Sequence, residues 1–197
     1  MSKFILKMPV LARLSRVCDA GKIIRLEYLH NKLYGISSDG TIACVEFLGE
    51  SAHPDEKCDL ILTDELQALL NKHGDSDNEV VVETIPEIAA GSIRCNDDSA
   101  SACFYWGESS FLDNWTDWLV PAVNASTGFM FWNVYQVQRL FECSPTGELV
   151  FPEHFDSSKP VIIRDVNDSA WVGVFIPQAD TKQIIKPATQ PDWWPND

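Results

Sequence analysis

Long apolar runs are missing from this chain of 197 residues; none approaches the roughly 20 residues that a bilayer-spanning helix needs. The opening stretch MSKFILKMPV also lacks a long apolar region followed by a small-residue cleavage site. The expectation is a protein that is neither secreted nor membrane-spanning, with the cytoplasm as its address and no membrane among its partners. Cysteine pairing is missing too. Cys18, Cys44, Cys58, Cys95, Cys103 and Cys143 stand singly with no CxxC spacing, as small core hydrophobes do in a reducing compartment. In such a compartment the Asn-X-Ser/Thr triplets at Asn114, Asn124 and Asn167 carry no sugar. Positive charge is scarce: 15 Lys and Arg stand against 29 Asp and Glu, a net charge of −14.

Signatures of catalysis are also absent. The chain contains no GxxxxGK[ST], GxGxxG, GxSxG or HExxH. His30, His53, His73 and His154 are scattered, and His53 with Cys58 is too thin a pairing for a metal site. Asp97-Asp98 imitates a carboxylate pair, yet adjacent acids in a loop read as a solvated turn. The sequence therefore predicts no enzyme, no cofactor and no metal.

What is present is a folded domain's balance of 45% hydrophobic and 22% charged residues. The charge is uneven. Residues 1–38 hold Lys3, Lys7, Arg13, Arg16, Lys22, Arg25 and Lys32 against Asp19 and Glu27, a sum of 7 − 2 = +5, which leaves −14 − 5 = −19 for the rest. An acidic body with one basic segment excludes uniform coating by nucleic acid and admits only a local basic face.

The order of elements recurs along the chain. FILKM reads as a strand, and PVLARLSRVCD places Val10, Leu11, Leu14 and Val17 on one helical face, with Pro9 in the first turn. IIRLEYLH, KLYGISSD and TIACVEFLG follow as strands. A second unit starts at CDLILT, with Thr63 as N-cap, Leu66, Leu69 and Leu70 as the helical stripe and Gly74 as its end. EVVVETI, AGSIRCND and ASACFYW are its strands. ESSFLDNWTDWLVPAVNAST has neither period and reads as an aromatic-rich crossover. A third unit opens on the strand FMFW. Asn133 and Gln136 have capping-box spacing at the start of a helix with Val134, Val137, Leu140 and Phe141, and GELVFPE, PVIIRDV and AWVGVFIP close the unit. These units predict an α+β fold of about three β-α-β-β-β repeats, helices on one side and antiparallel sheets on the other. The divisions are 1–108 as a two-unit domain, 109–128 as crossover linker, 129–177 as a half-domain and 178–197 as an acidic tail.

KLYGISSDGTIACVEF, LILTDELQALLNKHGDSDNEVVVET, FLDNWTDWLVP and the long stretch from Asn133 to Pro177 resemble, in that order, segments of the bacterial DNA polymerase III beta subunit, the ring-shaped sliding clamp. The likeness is to the clamp's second domain plus the last half of its third. It implies a DNA-clamp-like fold, a role in DNA replication or repair, and two kinds of partner: double-stranded DNA, and DNA polymerase or other clamp-binding proteins. Lys7, Arg13, Arg16, Lys22, Lys72 and Arg139 become candidate contacts to DNA phosphates on the helices, where the bland alternative is a solvated face balancing acidic neighbours.

The resemblance also implies a groove that takes a peptide of a Gln followed by aliphatic and aromatic residues. Carried over position by position, it gives Gly40, Thr41, Ile42, Pro121, Asn133, Gln136, Ile176 and Pro177. Thr41-Ile42 stands where the family has His-Arg, and the family's tyrosine position falls on Gln136 or, one register over, on Tyr135. Trp193 and Trp194 in the tail are candidate partner anchors, since each buries a large apolar area at one contact. The rival reading is an acidic clamp or DNA mimic that inhibits replication or defence proteins through protein–protein binding. A small-ligand binder on an unrelated α+β fold is a third.

Overall fold

The structure, a computed structural model, describes residues 3–18, 23–85, 88–97, 100–107, 109–119, 133–152, 156 and 159–176, with only the backbone described at Trp106. The first unit comprises β1 (Lys3–Lys7), α1 (Met8–Val17), β2 (Ile23–Leu29), β3 (Lys32–Ser38) and β4 (Ile42–Glu50). The second comprises β5 (Glu56–Ile61), α2 (Asp64–His73), β6 (Glu79–Ile85), β7 (Ala90–Cys95) and β8 (Ser101–Gly107). A 3-10 turn (Ser110–Asn114) leads into the short α3 (Trp115–Trp118). The third unit contributes α4 (Val134–Cys143), β9 (Leu149–Val150), β10 (Val161–Asp165) and β11 (Trp171–Phe175). Its expected opening strand, FMFW, lies outside the described residues.

Local chemistry fixes these elements. His30 and Asn31, both with positive φ (51° and 62°), make the two-residue turn whose twist suits an antiparallel hairpin between β2 and β3. Thr63 Oγ1 accepts from the Leu66 N–H at 3.2 Å, and Asp64 and Glu65 complement the positive end of α2. Gly74 has an ordinary helical φ of −58°. Closeness of approach requires it, because a Cβ there would lie 2.5 Å from the Leu70 carbonyl oxygen and 2.7 Å from the Ala12 Cβ. That contact lets α2 lie tightly against α1.

The strands form one sheet in the order β1-β6-β7-β8-β5-β2-β3-β4-β11-β10-β9, and every neighbouring pair is antiparallel. β4 pairing with β11, from Glu46 opposite Trp171 to Ile42 opposite Phe175, carries the sheet from the first unit into the third. One face packs against α1, α2 and α4 through a core that includes Phe4, Leu11, Leu14, Leu60, Leu70, Leu140 and Trp171. α1 touches both other long helices. On the opposite face Leu112, Trp115 and Trp118 of the crossover lie over Ile36, Ala43, Val45 and Val174. The described part of the stretch read as an aromatic-rich crossover linker, residues 109–119, thus forms a second hydrophobic layer. Arg25, 1% exposed, reaches from β2 to anchor it.

Candidate functional site

The β3–β4 turn is built around one carboxylate. Asp39 Oδ1 accepts from the Thr41 N–H and hydroxyl, both at 2.7 Å, and from the Ile42 N–H at 2.9 Å. Ser38 Oγ accepts from the Gly40 N–H at 3.0 Å and donates to the Ile42 carbonyl at 2.7 Å. Gly40 takes φ +90°, a conformation that costs glycine little. Burial pushes the Asp39 carboxyl up, but the hydrogen bonds from Ile42 and Thr41 and the charge of Arg139 outweigh it, leaving the group below its ordinary value.

Two other elements converge on this turn. At the end of β11, the Ile176 N–H donates to the Thr41 carbonyl at 2.8 Å. From α4, Arg139 Nη1 pairs with Asp39 Oδ2, and its guanidinium carbon sits 6.0 Å from the centre of the Tyr135 ring. Asn133 caps α4 by accepting from the Tyr135 N–H at 3.0 Å. Gly40, Thr41 and Ile176 therefore meet at one corner of the molecule, and Arg139 ties α4 to it; Asn133 and Gln136 stand in the first turn of that helix, where Val134 is 80% and Tyr135 64% exposed. Ile42 shares the backbone of that corner, but its side chain is fully buried in the helix-facing core. Pro121 and Pro177, like Trp193 and Trp194 of the tail, lie outside the described residues.

Four of the six cations expected to face DNA, Lys7, Arg13, Arg16 and Arg139, are engaged within the protein. Arg13 pairs with Glu46 of β4, where burial pushes the carboxyl up against the opposing pull of Arg13. Lys7 Nζ is 3.5 Å from Asp77 and Arg16 Nη2 is 3.9 Å from Asp75. Arg139, besides Asp39, donates to the Arg16 and Val17 carbonyls that end α1, while Arg16 donates to the Glu142 carbonyl at 2.7 Å near the end of α4. Each helix thus supplies an arginine to the negative end of the other. Lys72 is exposed on α2, with no ion pair to a described residue; Lys22 lies outside the described residues. Periodicity identified the polar side of α1 but could not show that carboxylates would meet it. Asp39 and the second duty of Arg139 were also missed, although an Asp-Gly turn preceding a β-strand carries a signal for the first.

No protein-family model matches the sequence, and no curated protein matches it at significant similarity. Solved structures do match. The DNA polymerase sliding clamp from Pseudomonas aeruginosa superposes with a TM-score of 0.61 at 12% identity, covering 89% of this chain and 65% of that one. The DNA polymerase III beta subunit from Thermotoga maritima gives 0.59 at 12%, with the same coverage of 89% and 65%. A putative beta subunit from Eubacterium rectale gives 0.55 at 12%, covering 91% and 66%. The fold is therefore that of the bacterial sliding clamp, as the resemblance implied, and this chain spans about 65% of the length of the clamp structures it matches.

Proposed function

We propose that this protein is a clamp-like docking module of DNA replication or repair that receives a partner peptide at the corner formed by the β3–β4 turn, the end of β11 and the first turns of α4. The observation that carries the reading is the convergence of three sequence-distant elements on Asp39, through Arg139 and through Thr41 to Ile176. It leaves two apolar side chains, Val134 and Tyr135, exposed beside ordered backbone. Such a corner offers an incoming peptide apolar contact beside a turn that Asp39 and Arg139 hold in place. The test is fluorescence anisotropy with a labelled peptide of a Gln followed by aliphatic and aromatic residues. Binding that weakens at least about tenfold, or 1.4 kcal/mol, in Tyr135→Ala supports the site; no binding by the parent chain, or binding indifferent to Tyr135→Ala and to Thr41→Arg, defeats it.

DNA tethering is the weaker half of the clamp reading. Lys7, Arg13, Arg16 and Arg139 each have a carboxylate within ion-pair distance, so phosphates would compete with intramolecular partners. The same pairing, with the net charge of −14, favours a second reading as an acidic mimic of DNA that binds replication or defence proteins. That binding would weaken steeply with salt, be displaced by duplex DNA and ignore Tyr135→Ala.

A further inference from the structure

We propose that residues 178–197 of this same chain occupy the docking corner in cis, seating Trp193 and Trp194 on the exposed Tyr135–Val134 surface, so that an external peptide binds by displacing them. The proposal rests on the docking corner being a binding site, and adds what fills it when no partner is present.

Chain geometry supplies the first argument. The last described residue, Ile176, is hydrogen-bonded to Thr41, so the chain leaves the sheet at the corner itself. From there Trp193 is 17 residues away, a root-mean-square reach of roughly 23 Å for a flexible chain. A segment tethered at that distance has an effective concentration on the order of millimolar. A contact too weak to matter between separate molecules is then largely formed within one.

Surface chemistry supplies the second. Val134 and Tyr135 are 80% and 64% exposed, and the Arg139 guanidinium, held by Asp39, lies 6.0 Å from the centre of the Tyr135 ring. This is a backed aromatic surface, suited to another flat aromatic side chain. Besides the aliphatic pair Ile184-Ile185, the large apolar side chains of the segment 178–197 are the adjacent Trp193 and Trp194, which sit between Pro191 and Pro195. Prolines on both sides restrict the free chain and so reduce the entropy lost on docking.

Fluorine NMR of the full chain labelled with 5-fluorotryptophan tests this, with Trp193→Phe and Trp194→Phe assigning the two resonances. The expected result is that both differ from those of a synthetic peptide of residues 178–197, and move toward the peptide positions in Tyr135→Ala while the other five tryptophans stay in place. If those five also move, Val134→Ser takes the place of Tyr135→Ala. Resonances that coincide with the free peptide overturn the proposal, as do shifted resonances that neither substitution moves. Anisotropy with the labelled Gln-aliphatic-aromatic peptide separates the two readings. If the corner is self-occupied, Trp193→Ala with Trp194→Ala tightens that peptide by about threefold to tenfold. Equal affinity with peptide-like resonances defeats self-occupation and leaves the docking site standing. Shifted, Tyr135-sensitive resonances with no external binding do the reverse.

Discussion

Arg25 shows how much one buried side chain can organise. Its Nε and Nη2 meet Asp59 at 2.6 and 2.8 Å, Nη1 meets Asp113 at 2.9 Å, and Nη2 also reaches the Ser109 carbonyl at 3.0 Å. Asp59 in turn accepts from the Ser109 N–H at 2.8 Å, which ties the start of the crossover to the sheet. Burial alone would lower the Arg25 pKa; the hydrogen bond and charge of Asp59, then Asp113 and Glu27, more than offset it. Removing one member of such a pair leaves the other charge buried and uncompensated. Arg25→Met is expected to lower stability by about 3–5 kcal/mol in urea unfolding, and Arg25→Met with Asp59→Leu to recover most of it. A loss below about 1 kcal/mol in the single variant would contradict this account.

Asp165 makes a pH prediction. Its carboxylate accepts from the Ser144 hydroxyl, the Thr146 N–H and hydroxyl at 3.0 and 2.7 Å, and the Asn167 and Asp168 N–H groups at 2.9 and 3.0 Å. Burial pushes its pKa up, but these bonds win and hold it well below the carboxylate range. Because the folded pKa lies below the unfolded value of about 3.9, the stabilisation is complete above that value and is lost as pH falls beneath it. Asp165→Asn should therefore lower Tm at neutral pH and flatten its decline below about pH 4; an unchanged acid limb would refute the assignment.

At the scale of elements, the reciprocal capping of α1 and α4 is what joins the third unit's helix to the first unit's turn. Arg139→Ala removes the donors to the Arg16 and Val17 carbonyls and the partner of Asp39 together. The expected loss is about 2 kcal/mol, with weaker peptide binding because the turn is no longer held. Arg139→Lys should restore little of the binding, since an ammonium cannot span two carbonyls and a carboxylate as the guanidinium fork does. Peptide affinity unaffected by Arg139→Ala would detach the turn from the site.

The helices themselves were legible in the sequence, because Val10, Leu11, Leu14 and Val17, or Leu66, Leu69 and Leu70, write a stripe that one buried face requires. Thr63 and Asn133 were legible as caps for the same local reason. The layer made by the crossover was not. Its buried residues, Leu112, Trp115 and Trp118, recur every three positions, but only across one 3-10 turn and one turn of α-helix, too short a span for a period to emerge. Nor was the fate of Arg13 and Arg16 legible. Seven of the ten α1 residues are buried, because α1 has a helix on each flank, and a sequence does not show where its neighbours' carboxylates will stand.

For the molecule as a whole, the two ends of the sheet decide whether copies join. Among the described residues, β1 and β9 are the edges, and sheet-to-sheet association would have to run through them. β9 is two residues long, so it offers few backbone partners to an incoming strand. Lys3 and Lys7, the cations of the β1 edge, already pair with Glu83 and Asp77 at 3.8 and 3.5 Å. A pairing through so short a strand gives little of the roughly 1,000 Å² that a stable interface buries, and a net charge of −14 on each copy opposes the approach. The mass in solution, measured by sedimentation or light scattering at low and at moderate salt, is accordingly expected to be that of one 22.1 kDa chain. A multiple of that mass that persists at low salt would mean that copies associate strongly enough to overcome both the short edge and the charge.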